Sequence, residues 1–374
     1  MFDIAEAVIT WHSDGPEAVM ARVVSVTGLS SSWPGQALAL VSGHQLAGAL
    51  LESVAVPQLL QVLTTALTAL ESARRLAAHP AGEPLPPAQP PSGVVIDVLI
   101  SDEQAKTAGL ACGGTARFLV QDTADLAAPA WQALADREPV CLVSDLDGQH
   151  VGLTTWFTLN DGHRDQVRKD STRHGSEVFE LFARGISTTV ITTLPDGTQV
   201  LLQALWPTPR LVVVGDGLIA AALEDIATYL GWDVSVADEV SPALAAVQML
   251  TPADAVVVLS HDHALAGPTL QAALTSRAGY VGALGSRSMQ QARAQWLIGR
   301  EVPQSQIDRV RGPAGLDVGA RTPQEIAVSI AAEVLTVRTG TSGQALRDRP
   351  GPVHIDGVRT PPTSHDDSRQ PPPQ

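Results

Sequence analysis

Cysteine is nearly absent from this 374-residue chain: only Cys112 and Cys141 occur. Two thiols cannot build a disulfide framework, and no CxxC pair or Cys/His zinc spacing is present. Basic residues are also scarce, with Lys+Arg at 24 against 39 Asp+Glu and a formal charge of −15. So acidic a chain lacks the positive field that displaces counterions from a phosphate backbone, which argues against a nucleic-acid partner. No apolar run reaches the ~18–20 residues that cross a bilayer, so no membrane span is expected. The opening MFDIAEAVITWHSDGPEAVM carries early acids and no basic stretch, unlike a secretory signal. The expectation is a cytoplasmic protein with free thiols.

What is present suffices to fold. Apolar residues make up 44% of the chain, enough to bury a core. The length predicts two domains, residues 1–205 and 206–339. Residues 340–374, rich in Gly, Pro, Ser, Asp and Arg, cannot offset ordering entropy and read as a disordered tail. Within the first domain, PAGEPLPPAQPP holds six prolines, so a linker or long loop is expected over 80–93. Leu59 to Leu70 shows helical spacing before it, and Val94 to Ile100 reads as a buried strand after it. Beyond Trp206-Pro207, apolar runs at 211–214, 234–237, 255–259 and 280–284 alternate with helical stretches. This alternation predicts an α/β fold with a Rossmann-like parallel sheet and right-handed crossovers.

Several segments carry residue types suited to chemistry. In LVVVGDGLIAAAL, Gly215, Gly217 and Ala220 form GxGxxA after a strand and at the opening of a helix. The first glycine permits the tight turn, the second the approach of a pyrophosphate, and the small third residue close helix–strand packing. Asp238 follows the next strand, where a ribose-binding acid belongs. Asp216 places a repelling acid inside the loop, and glycines serving the turn alone are the alternative. Ser260-His261-Asp262-His263 follows the third strand. Two imidazoles and a carboxylate there suit proton relay, anion binding or, more weakly, a metal, while a turn capped by Asp262 is the structural alternative. Ser286 and Arg287, after Tyr280 to Gly285, offer a hydroxyl and a guanidinium to an anion, or a salt bridge to a neighbouring helix.

In GLDVGARTPQEI the main reading is structural, with Thr322, Pro323 and Glu325 spelling a helix-capping box, and Asp317 is its one candidate ligand contact. In GLACGG, Cys112 lies beside Gly113 and Gly114, on backbone able to form an anion nest that favours the thiolate. A buried, inert thiol is the alternative, and it fits Cys141 in its apolar run. Arg164, Arg168, Lys169 and Arg173 form a small basic cluster that fits a solvated face or an anionic partner.

Together these segments resemble the XdhC/CoxI family, accessory proteins of molybdenum-containing xanthine dehydrogenases and related hydroxylases. GLACGG (109–114), SHDHAL (260–265), YVGALGSR (280–287) and GLDVGARTPQEIAVSI (315–330) stand in the family's order. The resemblance implies an N-terminal XdhC/CoxI α/β domain and a C-terminal Rossmann-like domain. It implies that the protein binds the molybdenum cofactor, a molybdopterin bearing a phosphate. It further implies help in cofactor sulfuration and insertion into a xanthine dehydrogenase-type hydroxylase, with a homodimer as the associated state. No cysteine clusters for iron–sulfur centres accompany it. One departure concerns the family's first signature, where a Pro-Arg pair is expected and Ser31-Ser32 stands. A second glycine turn carries Val54 near the position of an expected cysteine.

On this reading Cys112, Gly113 and Gly114 face a ligand held at the strand ends, across the domain cleft. The thiol is a soft contact near the metal, and His261, Asp262, His263 and Arg287 hold polar and phosphate groups. Gly215, Gly217, Ala220 and Asp238 also fit a second reading, an oxidoreductase using NAD or NADP, for which no clear hydride-transfer site is evident. A docking protein that binds neither ligand is a third.

Overall fold

Thirteen residues with Ile4, Ala5, Val8 and Trp11 on one side form α1 (Phe2–Asp14), closed by Gly15 in the left-handed region at φ 89°. The computed structural model describes residues 1–15, 17–28, 34–42, 45–51, 54–77, 93–110, 112–158, 178, 180–182, 184–194 and 197–348. The proline-rich stretch 80–91, the cluster Arg164 to Arg173, Ser31-Ser32 and most of the expected tail lie outside these residues.

The N-terminal half is built from two antiparallel sheets. One has the order β3 (Leu46–Ala49), β2 (Ala37–Val41), β1 (Ala18–Thr27), β5 (Gly114–Asp122), β4 (Gly93–Ile100). Helix α2 (Val56–Ala77) lays Leu59, Leu63 and Leu67 against Val19, Ala21, Leu38 and Phe118 on one face. Short α3 (Asp102–Thr107) follows β4, and α4 (Ala128–Ala135) packs with α1 on the other side through Trp131. The second sheet runs β7 (Thr154–Thr158), β6 (Val140–Asp145), β9 (Gln199–Leu205), β8 (Thr188–Thr193). The two sheets meet through Val24, Leu119, Leu146 and Leu201.

The expectation of a buried strand at Val94 to Ile100 needs correction. The strand forms, but as the sheet's edge, with Leu99 74% exposed. An apolar run reports strand character, not the number of neighbours the strand acquires.

The C-terminal half is a five-stranded parallel sheet in the order β11 (Asp233–Ala237), β10 (Arg210–Val214), β12 (Ala255–Val258), β13 (Tyr280–Ala283), β14 (Val310–Arg311). Between and after the strands lie α5 (Leu218–Tyr229), α6 (Val240–Gln248), α7 (His263–Thr275), α8 (Arg287–Ile298), α9 (Gln304–Ile307) and α10 (Pro323–Thr339). Helices cover both faces, so central strands bury alternate residues into two cores: Val212, Val214, Val256 and Val258 on one side, Leu211, Val213, Ala255 and Val257 on the other. That is why these strands read as unbroken apolar runs.

The two halves join at the amino ends of the parallel strands. Arg137, held in the left-handed region at φ 58°, reaches both carboxylate oxygens of the fully buried Asp254 at 3.2 Å. Asp254 also accepts Arg210 N at 2.8 Å, Thr251 N at 2.7 Å and Thr251 Oγ1 at 2.9 Å, so its charge is fully solvated by protein donors. Arg277, just before β13, forks onto Glu138.

Candidate functional site

Polar loops follow the carboxyl ends of β10 to β13, and the first of them opens on a glycine that admits no side chain. Gly215 sits at φ 112°, and a Cβ there would lie 2.8 Å from Ser260 N. Gly217, at φ 97°, is the N-cap of α5 and supplies no side-chain cap, so the first-turn N–H groups keep their positive end open. Ala220 is buried in the core beside Leu211 and Val213. The three small residues thus occupy a turn, an open helix end and a packing position. Asp216 and Asp238 are both exposed at this end of the sheet.

At the next loop the carboxylate has a structural task. Asp262 Oδ1 accepts Ala264 N at 2.8 Å and caps α7, while Asp262 N donates to Ser260 Oγ at 3.1 Å. His261 and His263 flank it, both exposed. Ser286 caps α8 through Met289 N at 3.3 Å, and exposed Arg287 opens that helix. The loop carrying Asp317 is tied from below. Glu333 accepts Gly315 N and Tyr280 Oη, each at 2.7 Å, and Ser329 Oγ donates to Leu316 O at 2.6 Å. Burial beside the Glu333 carboxylate pushes the Tyr280 phenol far above its ordinary pKa and keeps it a donor. Asp317 itself is exposed, and the capping box of Thr322 and Glu325 is formed as the spacing predicts.

Sequence reasoning missed Arg293. It is 4% exposed and joins two of these loops, donating to Ser260 O at 2.8 Å and Leu284 O at 2.6 Å. Burial lowers its pKa from the ordinary arginine value. An arginine mid-helix gives no sequence signal that its guanidinium faces inward rather than to solvent.

The thiol loop forms a second location. Cys112 is exposed, and its Sγ donates to Gly28 O at 2.7 Å. Gly113 N donates to Asp102 Oδ1 at 2.9 Å, so this amide of the expected anion nest already has an acceptor. A Cβ at Gly113 would fall 2.4 Å from Ile100 O, and one at Gly28 would lie 3.1 Å from Gly113 O. Only glycines allow these backbones to meet behind the thiol. Cys141 is fully buried, and desolvation pushes its thiol pKa up, leaving it chemically quiet.

The structure brings Gly215, Ser260, Leu284 and Arg293 into one contact set. It does not join that set to Cys112, whose hydrogen bond stays within its own half. The ion pairs between the halves use Asp254 and Arg277, at the amino ends of the parallel strands and so at the opposite end from the polar loops. The expected meeting of Cys112 with those loops is not among these contacts. Among the described residues no three His, Cys, Asp or Glu side chains gather to hold a metal ion, so His261 and His263 belong to no such cluster. Among the same residues no helix is long and apolar enough to cross a membrane.

A parallel sheet with a glycine turn, an open helix N-terminus and polar loops at the strand ends defines a Rossmann-type domain. Residues 211–334 match the family model of the XdhC Rossmann domain. The chain therefore carries that domain, and the XdhC/CoxI recognition is borne out.

Three curated relatives are similar in sequence. The "Molybdenum cofactor insertion chaperone PaoD" of Escherichia coli K12 is 36% identical over 132 residues, 35% of this chain and 41% of the relative. A probable xanthine dehydrogenase subunit from Bacillus subtilis 168 is 29% identical over 175 residues, 41% of this chain and 51% of the relative. The "Uncharacterized protein YqeB" of Escherichia coli K12 is 31% identical over 155 residues, 36% of this chain and 28% of the relative. The chain spans about half the length of these relatives or less. A solved structure titled as a xanthine dehydrogenase from Bacillus halodurans is 18% identical with a TM-score of 0.43, over 89% of this chain and 95% of that one.

Proposed function

We propose that the protein is a molybdenum cofactor-binding accessory protein that helps mature or insert the cofactor into a xanthine dehydrogenase-type molybdenum hydroxylase. The observation that carries this reading is the exposed thiol of Cys112 on a glycine-built loop, in a chain that also carries an XdhC Rossmann domain. The similarity to PaoD, a molybdenum cofactor insertion chaperone by name, supports it. The donor types fit the cofactor. A soft thiol suits molybdenum, and an open helix N-terminus with a nearby guanidinium suits a phosphate. When bound, the cofactor supplies the metal-centred redox chemistry that the client hydroxylase uses.

This chain's own residues bind and orient. Cys112 is the soft contact, backed by Gly113 and Gly114. Gly215, Gly217, Ala220, Ser286 and Arg287 shape and line the phosphate side, Arg293 holds two of its loops in place, and His261, His263 and Asp317 supply polar contacts. The two locations act as separate contacts, so a homodimer or the client is the means of bringing both to one ligand.

In a titration with isolated molybdopterin, Cys112→Ala and His261→Ala are each expected to weaken affinity about tenfold or more, the scale of losing one good polar contact. Unchanged affinity in both variants would overturn the assignment.

The open N-terminus of α5 and exposed Asp238 support a second reading, an oxidoreductase that binds NAD in preference to NADP. Calorimetry separates the two readings: tight NAD binding without pterin binding favours this one.

A further inference from the structure

A cavity of about 360 Å³ lies at the seam between the two halves, away from both the thiol loop and the strand-end loops. Phe2, Asp3 and Ile186 line it from the N-terminal half, Trp206 and Pro209 from the connecting segment, and Arg338 from the C-terminal half. The wall is closely built. Gly185 touches the end of α10 so tightly that a Cβ there would overlap Arg338 O at 1.6 Å. No other residue fits at Gly185 while the seam stays closed.

Among the described residues, Arg338 is the cavity's one cationic side chain. The Met1 amine on the same wall is already engaged, donating to Gly35 O, and burial lowers its pKa to about 5. The Arg338 guanidinium sits 5.6 Å from the ring of Trp232, and its Nε is buried with no hydrogen-bond partner among the described residues. Burial lowers its pKa from the ordinary value, so the charge is held at a cost that an anion would relieve. Two features limit that anion to a single charge. Arg338 lies in the last turn of α10, where the helix end is partly negative, and Asp3 stands on the same wall. A dianionic phosphate would meet one cation against these two negative features. A carboxylate matches the planar guanidinium fork, and the phenyl, indole and aliphatic walls suit an apolar body.

We propose that this cavity is a binding site for a small organic monocarboxylate, gripped by Arg338 with its apolar body against Phe2, Ile186 and Trp206. The proposal is independent of the cofactor reading and survives its failure. Benzoate titrated into the full chain by calorimetry is the probe, with inorganic phosphate at matched ionic strength as the second. Benzoate is expected to bind saturably. Arg338→Gln should weaken it at least about tenfold, the loss of one charged hydrogen-bond pair. Ile186→Trp, which fills the cavity from a residue 41% exposed, should do the same with Arg338 intact. Any phosphate binding is expected to ignore both substitutions. No benzoate binding by the wild type, benzoate binding indifferent to both substitutions, or phosphate as the ligand that senses Arg338, would each overturn the proposal.

Discussion

Arg22 sits fully buried on β1, donating to Gln203 Oε1 and Gln121 Oε1 at 2.6 Å each, to Ser144 Oγ at 2.7 Å and to Thr154 Oγ1 at 3.3 Å. All four partners are neutral, and desolvation brings the pKa down to about 9. The cation links the two antiparallel sheets. Arg22→Ala would leave several buried acceptors without their donor and open a void, so a loss of about 3 kcal/mol or more is expected in urea unfolding. In AVMARVVSVT the arginine is visible in the sequence only as an oddity. Its meaning depends on Gln203, 181 residues away. Cys112 shows the same limit: its glycine setting was legible, but its acceptor, Gly28 O, lies 84 residues back.

Single elements were more readable where their signals are local. The Thr322-Pro323-x-Glu325 pattern contains every participant of its cap within four residues. The N–H groups of Thr322 and Arg321, at 2.9 and 2.8 Å, hold the Glu325 carboxyl below its ordinary pKa. A depressed native value means that the stabilisation is fully present above the unfolded-state pKa and is lost as pH falls through the native one. Glu325→Gln, which keeps an acceptor without the charge, should flatten the acid limb of a stability–pH curve measured by denaturant unfolding. Helix α8 makes the contrasting case, because its task is performed by buried Arg293. Arg293→Met should raise amide exchange in the loops at 259–262 and 284–287 by about tenfold, the worth of a charged hydrogen bond. Arg293→Lys should recover part of the protection. Equal exchange in all three proteins would show that the loops hold themselves.

At the scale of the whole molecule, the pairing of Arg137 with Asp254 and of Arg277 with Glu138 ties one half to the other. Arg137→Ala leaves Asp254 its donors from Arg210 and Thr251 but removes one clasp between the halves. A larger radius in small-angle X-ray scattering and two separated thermal transitions are expected, with each half still folded. By itself the sequence determined the alternation of strands and helices after Trp206, the glycine turn at 215–217, the caps and the solitary thiol between glycines. Each of these follows from backbone geometry and side-chain period within a few residues. Only the tertiary structure decided that β4 is an edge, that Arg22 and Arg293 point inward, that the halves meet at the amino ends of the parallel strands, and that a cavity with one desolvated guanidinium opens at their seam. Those outcomes rest on partners far apart along the chain, whose pairing free energy belongs to the packed fold and to no local segment.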